Sequence, residues 1–218
     1  MSLIPERLIE IESKPLHKGN GKSIDTACIM NMVAYVAGEP WSDHPECACP
    51  VLTKIAIGLN DRMDDEQRQK LAPLIPLLVG TKGTIDDRKA RASFIVWQNI
   101  TVTFPILLDL FGMAEYADEL RLTPQTTTGF LAAEKTLREK RGEIHAAAKS
   151  AADAAADAAY ASYSPAVGAA NAAADSAADA SAAYAWAAPN YRGKNSINDS
   201  AIETLRLACS IKHTEEHK

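Results

Sequence analysis

Apolar residues follow helical spacing through the first half of the chain, and no segment shows the alternation of a half-buried strand. A helix is predicted over 24–37, with Ser23 and Gly38 placed to cap its two ends. Its body, 27–36, is apolar almost all round, as a central buried helix is. Pro50 fits the first turn of a second helix, which reaches about Leu59. The pattern therefore predicts an all-α fold that begins with a compact domain of several helices.

Caps and helix breakers divide the segment that follows into short helices. The acidic residues 64–66 suit the positive end of a third helix, and two prolines in the apolar segment 71–80 predict a kink or break near Ala72. Three more helices are expected: one from Thr84, with Asp87 in a capping box, through Trp97; one at 106–111, started or kinked by Pro105 and ended by Gly112; and one at 114–120.

The first 22 residues contain two prolines and two glycines without a long apolar period, so we expect an irregular arm there. Gly21, Lys22 and Ser23 resemble the end of a phosphate-binding loop, but Leu16 stands where that motif needs its first glycine, and no strand precedes it. A glycine-rich loop leading to a helix cap is the simpler interpretation. An anion site at the N-terminus of that helix stays open as an alternative.

The composition changes after residue 122. The threonine-rich segment 123–129 is the clearest boundary, so we expect a compact domain over 1–122 and a second region over 123–218. The second region begins with a charged helix at 130–141 and ends with a helix at about 199–212.

Alanine dominates the middle of the second region. More than half of residues 145–188 are alanine, the residue that most favours helix. Polar residues step by four on each side of Pro165, which predicts two antiparallel helices, 143–162 and 165–188, packed closely through alanine. Because alanine buries little area, such a hairpin needs Phe130, Leu131, the last helix or a second subunit to cover its apolar face. We expect the protein to form a homo-oligomer.

One stretch between two apolar helices concentrates the polar and reactive side chains of the first half. We call residues 38–50 the clasp loop; its sequence is GEPWSDHPECACP. Asp43, His44, Cys47 and Cys49 could bind zinc together with Cys28, but the spacing of the first two cysteines is not that of a zinc knuckle, and no second pair follows. We therefore expect no metal there.

A structural role explains the clasp loop without chemistry. Glu39 and Asp43 can accept backbone N–H groups at the start of the helix that begins at Pro50, and Trp41 can pack, largely buried, with its indole N–H bonded to a carbonyl group. Cys28 is expected to be a buried, reduced core residue. The cysteines at 47 and 49 are too close in sequence to be expected to bond each other.

The C-terminal end offers one more set of metal ligands. Cys209, His213 and His217 are spaced by four and would share one side of a helix. A fraying polar end explains them better. The aspartates of the alanine region, Asp153, Asp157, Asp175 and Asp179, are better explained by a solvated stripe than by metal binding, so neither set is assigned a metal.

The clasp loop also carries a family resemblance. Residues 34–45 (AYVAGEPWSDHP), Cys47 and Pro50, with residues 74–76 (LIP) and 80–81 (GT), resemble a family of uncharacterised proteins encoded by bacteria and their phages. The resemblance covers roughly residues 16–125 by motif and the alanine-rich remainder by composition alone. It implies a bacterial or phage setting and no activity, cofactor or catalytic residue.

Charge and cysteine content narrow the setting further. The net charge is −5, with 28 acidic and 23 basic residues, which does not favour binding to nucleic-acid backbones. We expect no membrane-spanning run and no signal peptide, and therefore a cytoplasmic protein whose four cysteines are thiols.

These observations favour a small protein that binds or sequesters a nucleotide-like ligand or a protein partner, within or against host defence, without a cofactor. The expected ligand-binding residues are Lys18, Asn20, Lys22, Ser23, Glu39, Trp41, Asp43 and His44. An enzyme, hydrolase-like, using Asp43, His44 and Cys47 is one alternative. A structural assembly protein built on the alanine-rich region is another.

Overall fold

A computed structural model describes residues 3–110, 112–140, 142–144 and 194–211. These ranges contain helices and no strand, which confirms the all-α prediction. The α-helices are α1 (Pro5–Ile11), α2 (Ile29–Val36), α3 (Pro50–Arg62), α4 (Asp65–Gln69), α5 (Ile75–Leu78), α6 (Ile85–Gln98), α7 (Phe104–Leu110), α8 (Ala114–Arg121), α9 (Thr127–Glu139) and α10 (Lys194–Cys209). The alanine-rich hairpin predicted for 143–162 and 165–188 lies outside the described residues.

The predicted irregular arm is wrong over Pro5–Ile11, which forms α1. Pro5 occupies its first turn, where the missing N–H costs nothing. The helix is tied to α2 from outside: the N–H of Ile4 donates to Val36 O at 2.9 Å, and the Arg7 guanidinium donates to Tyr35 O at 2.8 Å. These tertiary contacts stabilise a helix too short to form alone.

The apolar segment 24–37 forms a central helix, but it begins later than predicted. Residues Ile24–Thr26 make a single 3₁₀ turn capped by Ser23, and α2 starts only at Ile29, with Cys28 as its N-cap. Every residue of α2 except Tyr35 is buried, and α1, α3 and α5 pack around it. This confirms the prediction that the most apolar segment is the centre of the fold.

The longest continuous helix of the described residues runs through α6, a π-helical turn at Asn99–Thr103 and α7. The predicted Thr84–Asp87 capping box is present at its start. Pro105 does not break it, because the π turn widens the helix just before the proline, where the ring would otherwise meet the carbonyl four residues back.

This continuous helix also passes a length test for membrane spans. Residues 85–109 are long and apolar enough to cross a membrane by length and composition. However, 61% of their most apolar window is buried inside the protein, as in an ordinary core helix.

The last helix packs back on the first half of the chain. It starts at Lys194 rather than at about 199, and it lies against α3, α6 and the π turn. Ile197, Ala201, Leu205 and Ala208 supply its buried face. The division of the chain at residue 122 stays a prediction.

Candidate functional site

The clasp loop is anchored at both ends by backbone hydrogen bonds. Gly38 takes a φ of +73°, which favours glycine, and its N–H donates to Tyr35 O at 3.1 Å, so α2 stops there. At the other end, the N–H of Cys49 donates to Thr81 Oγ1 at 3.0 Å, and the N–H of Lys82 donates to Cys47 O at 2.9 Å. The segment after α5 therefore holds the end of the loop in place before α3 begins.

Glu39 closes the neck of the loop. Its Oε2 accepts the backbone N–H of Glu46 at 2.6 Å, across seven residues. Its Oε1 is buried without a nitrogen or oxygen donor, and the carboxylate lies beside the thiol of Cys47. Burial raises the pKa of the Cys47 thiol, and the Glu39 carboxylate raises that pKa further. The thiol is therefore held in its protonated form, which is a poor nucleophile.

Trp41 is the main correction to the predicted loop. It retains 38% of its surface exposed, so the prediction that it would be largely buried is wrong. Its indole Nε1–H donates to Gly21 O at 2.7 Å, as the predicted bond to a carbonyl requires, and its ring meets Tyr35 edge-on with centroids 6.4 Å apart. The ring is thus held by one edge on the glycine-rich loop, and part of it faces solvent.

Asp43 and His44 bond to each other rather than to the start of α3. His44 Nδ1 lies 2.8 Å from Asp43 Oδ1, and the backbone N–H of His44 donates to Ser42 Oγ at 2.9 Å. Neither Asp43 nor Glu39 thus takes the predicted role of accepting N–H groups of the first turn of α3. The His44 side chain is 71% exposed, and no hydrogen bond joins it to Cys47 within the described residues. The two halves of a cysteine–histidine pair are not assembled.

The glycine-rich loop before α2 uses its own donors internally. Four backbone N–H groups donate to three side chains: Gly19 to Asp61 Oδ1 at 2.8 Å, Gly21 to Asn31 Oδ1 at 3.1 Å, and Lys22 and Ser23 to Thr26 Oγ1 at 3.2 and 3.3 Å. Asn20 also accepts from Asn31, at 2.9 Å. Because a phosphate-binding loop needs its N–H groups for the ligand, these four are not placed for that use. The side chains of Lys18 and Lys22 are exposed.

A buried asparagine of α3, Asn60, holds this loop in place, although the sequence pattern gave no reason to assign it that role. Asn60 is fully buried; its Oδ1 accepts the N–H of Ile29 at 3.1 Å, and its Nδ2 donates to His17 O at 2.8 Å. Its carbonyl oxygen accepts from Arg68 Nε at 2.6 Å. The sequence around an asparagine near a helix end does not indicate which groups it will bond, because here the two partners of the side chain come from distant segments.

Two clefts adjoin the clasp loop. The first has a volume of about 430 Å³ and is lined by Glu39, Pro40, Ser42, His44, Pro45 and Glu46. The second, about 230 Å³, is lined by His44, Pro45, Glu46, Ala48, Pro50, Thr53 and Lys82. Of the residues predicted to bind ligand, Glu39 and His44 line the first cleft. Trp41, Asp43 and the residues of the glycine-rich loop line neither cleft, and Trp41 lies beside that loop. Ser42 and Glu46 could have been found by their place in the loop, whereas Lys82 reaches it only through the fold.

The predicted burial of Cys28 and the predicted absence of a bond between Cys47 and Cys49 are both confirmed. Cys28 is buried, and its pKa is raised mainly by that burial. Cys47 and Cys49 are both free and do not bond each other. Among the described residues no group of three possible metal ligands comes together. His213 and His217 lie outside those residues.

Comparison of the chain with models of protein families, with curated proteins and with solved structures finds no match.

Proposed function

We propose that the protein binds and sequesters a small nucleotide-like ligand in the clasp-loop cleft lined by Glu39 and Glu46. The observation that carries the proposal is the cleft itself, a concavity of about 430 Å³ whose lining residues come from the loop that concentrates the polar side chains. Cavities of this size suit small molecules.

The polar groups of the cleft favour hydrogen-bond donors on the ligand. Glu39 Oε2 takes one hydrogen bond from the backbone of Glu46, and a carboxylate oxygen can accept a second. Glu46 is 90% exposed at its side chain and adds a second carboxylate. The rings of Pro40 and Pro45 supply apolar surface between them. A flat heterocycle with an exocyclic amino group matches this combination of apolar wall and acceptors.

The raised pKa of the Cys47 thiol supports binding rather than catalysis. A buried thiol beside a carboxylate is disfavoured as a thiolate, and His44 bonds to Asp43 instead of to the thiol. The resemblance to bacterial and phage proteins supports a role inside a bacterial cell, within or against host defence.

Calorimetry with nucleosides on the full chain tests the proposal. Adenosine, cytidine and guanosine offer an exocyclic amine, and uridine, which lacks one, is the matched ligand. We expect measurable binding of at least one of the first three and weaker binding of uridine. Glu39→Gln should bind more weakly than the unaltered protein, because an uncharged amide oxygen is a weaker acceptor than a carboxylate oxygen.

The glutamine keeps an oxygen that can accept the N–H of Glu46, so the loop can stay closed. Glu66→Gln, an exposed position in α4 that lines neither cleft, is the control. The proposal fails if no nucleoside binds, or if Glu39→Gln binds as tightly as the unaltered protein and the control.

A further inference from the structure

The two clefts beside the clasp loop share a wall and differ in one charged residue each. His44, Pro45 and Glu46 line both of them. Glu39 lies in the first cleft only, and Lys82 in the second only. A ligand that crosses this wall would therefore meet a carboxylate at one end and an ammonium group at the other.

We infer that the ligand of the clasp loop carries a phosphate group and that Lys82, in the second cleft, receives it. This inference rests on the proposed function, since it places the second end of the ligand bound there. A nucleoside 5′-monophosphate has the two required ends, an amine-bearing base and an oxyanion.

Lys82 is held at its backbone and available at its side chain. Its N–H donates to Cys47 O at 2.9 Å, which fixes the residue beside the loop, while its side chain is 60% exposed. The ammonium Nζ lies 3.9 Å from Glu46 Oε2, too far for a hydrogen bond. The two charges form an ion pair without a hydrogen bond, so the N–H groups of Lys82 can turn to an oxyanion in the cleft.

The glycine-rich loop is the competing place for the phosphate. Lys22 is exposed there, but its own N–H and that of Ser23 donate to Thr26 Oγ1, and Gly21 N–H donates to Asn31. A phosphate would find the exposed ammonium groups of Lys18 and Lys22 there, but no cradle of amide donors. Lys82 instead lines a formed cleft of about 230 Å³, in which an oxyanion would be partly enclosed.

The test compares a nucleoside with its own 5′-monophosphate on three forms of the full chain, by calorimetry at low salt. The forms are the unaltered protein, Lys82→Gln and Lys22→Gln, and the nucleoside is the one that binds best. The unaltered protein should prefer the monophosphate about two- to fivefold, the range of a partly exposed ion pair. Lys82→Gln should remove that preference while nucleoside binding persists, and Lys22→Gln should leave it intact.

Each other outcome is decisive. A preference that Lys22→Gln removes and Lys82→Gln keeps would overturn the inference in favour of the glycine-rich loop. No preference in the unaltered protein would overturn it as well, with the proposed function still standing if the nucleoside binds. Inorganic phosphate is the third probe: if it binds as tightly as the monophosphate, the cleft is an anion site independent of the ligand, and the inference fails. If no nucleoside binds at all, the proposed function and the inference fail together.

Discussion

Gly21 is the position where one methyl group should do the most damage to the site. A Cβ built there would lie 1.8 Å from the carbonyl oxygen of Thr26 and 2.4 Å from its carbonyl carbon. Both are backbone atoms, so no side-chain rotation can relieve the overlap. In Gly21→Ala the loop must therefore move away from the turn at Ile24–Thr26.

The cost follows from what this movement separates. It breaks the hydrogen bond from Gly21 N–H to Asn31 Oδ1 and the one from Trp41 Nε1–H to Gly21 O, each worth about 0.5–1.5 kcal/mol. Displacing the packed turn adds about 1–3 kcal/mol, as overpacking does. The alanine also stiffens the unfolded chain, which returns about 0.4–1 kcal/mol. We expect Gly21→Ala to lower the free energy of unfolding by about 1–6 kcal/mol, centred near about 3 kcal/mol.

Gly19 provides a matched control two residues earlier. Nothing lies within 4 Å of a Cβ built there, and only its φ of +78° opposes the substitution. Gly19→Ala should cost about 1–2 kcal/mol for that backbone conformation, less the same gain from the unfolded chain. Urea unfolding followed by far-ultraviolet circular dichroism measures both variants. If the two costs agree within about 0.5 kcal/mol, the overlap at Gly21 does not control the loop and the reasoning is refuted.

Three more predictions concern the support of the clasp loop and its thiols. Thr81→Val removes the Oγ1 that accepts from Cys49 N–H and donates to Leu78 O, and should cost about 1–3 kcal/mol in the same urea assay; an unchanged midpoint would contradict this. Burial raises the pKa of Cys209 from 9.0 to about 12, so the folded state keeps a proton that the unfolded chain releases. The stability that the protonated Cys209 thiol contributes is therefore fully present below pH 9 and falls as the pH rises towards 12. Between those pH values Cys209→Ala should lose less stability than the unaltered protein. An equal loss in both proteins would show that other groups cause the pH dependence. Cys28 should react with a thiol reagent no faster than the protein unfolds, and rapid labelling under native conditions would show that its burial is incomplete.

Elements whose signals are local could be predicted from the sequence. The capping box of Thr84 and Asp87 forms as expected, with the N–H of Asp87 donating to Thr84 Oγ1 at 3.1 Å and the N–H of Thr84 donating to the Asp87 carboxylate at 2.6 Å. Pro50 begins α3, and the chain breaks near Ala72. In each case the residues that decide the boundary lie within four positions of it.

Elements decided by distant partners could not be predicted in this way. The helix α1 has only seven residues and depends on bonds from Ile4 and Arg7 to the end of α2. The start of α2 combines a local and a distant contact: Cys28 and Asn31 form a capping box, and Asn60 Oδ1 accepts the N–H of Ile29 across 31 residues. Apolar periodicity carries no information about the distant partners of Ile4, Arg7 and Ile29, and a cysteine is not among the residues that ordinarily mark an N-cap, so α1 and the start of α2 differ from the prediction.

In the clasp loop too, the sequence shows which polar residues are present but not which partners they bond. Those partners limit how many of the polar groups can contact a ligand. Composition alone locates the loop, yet several of its polar groups are used to hold it. One oxygen of Glu39 accepts the Glu46 N–H, Asp43 bonds to the His44 ring, and the Trp41 indole N–H donates to the carbonyl of Gly21. A polar group committed to the fold contributes less to a ligand, because binding would first have to break the bond it already makes. The groups left with capacity are the second acceptor site on Glu39 Oε2, the exposed Glu46 carboxylate, and the ammonium of Lys82. These three belong to the two clefts, and for that reason binding is argued from the clefts rather than from the motif that first drew attention to the loop.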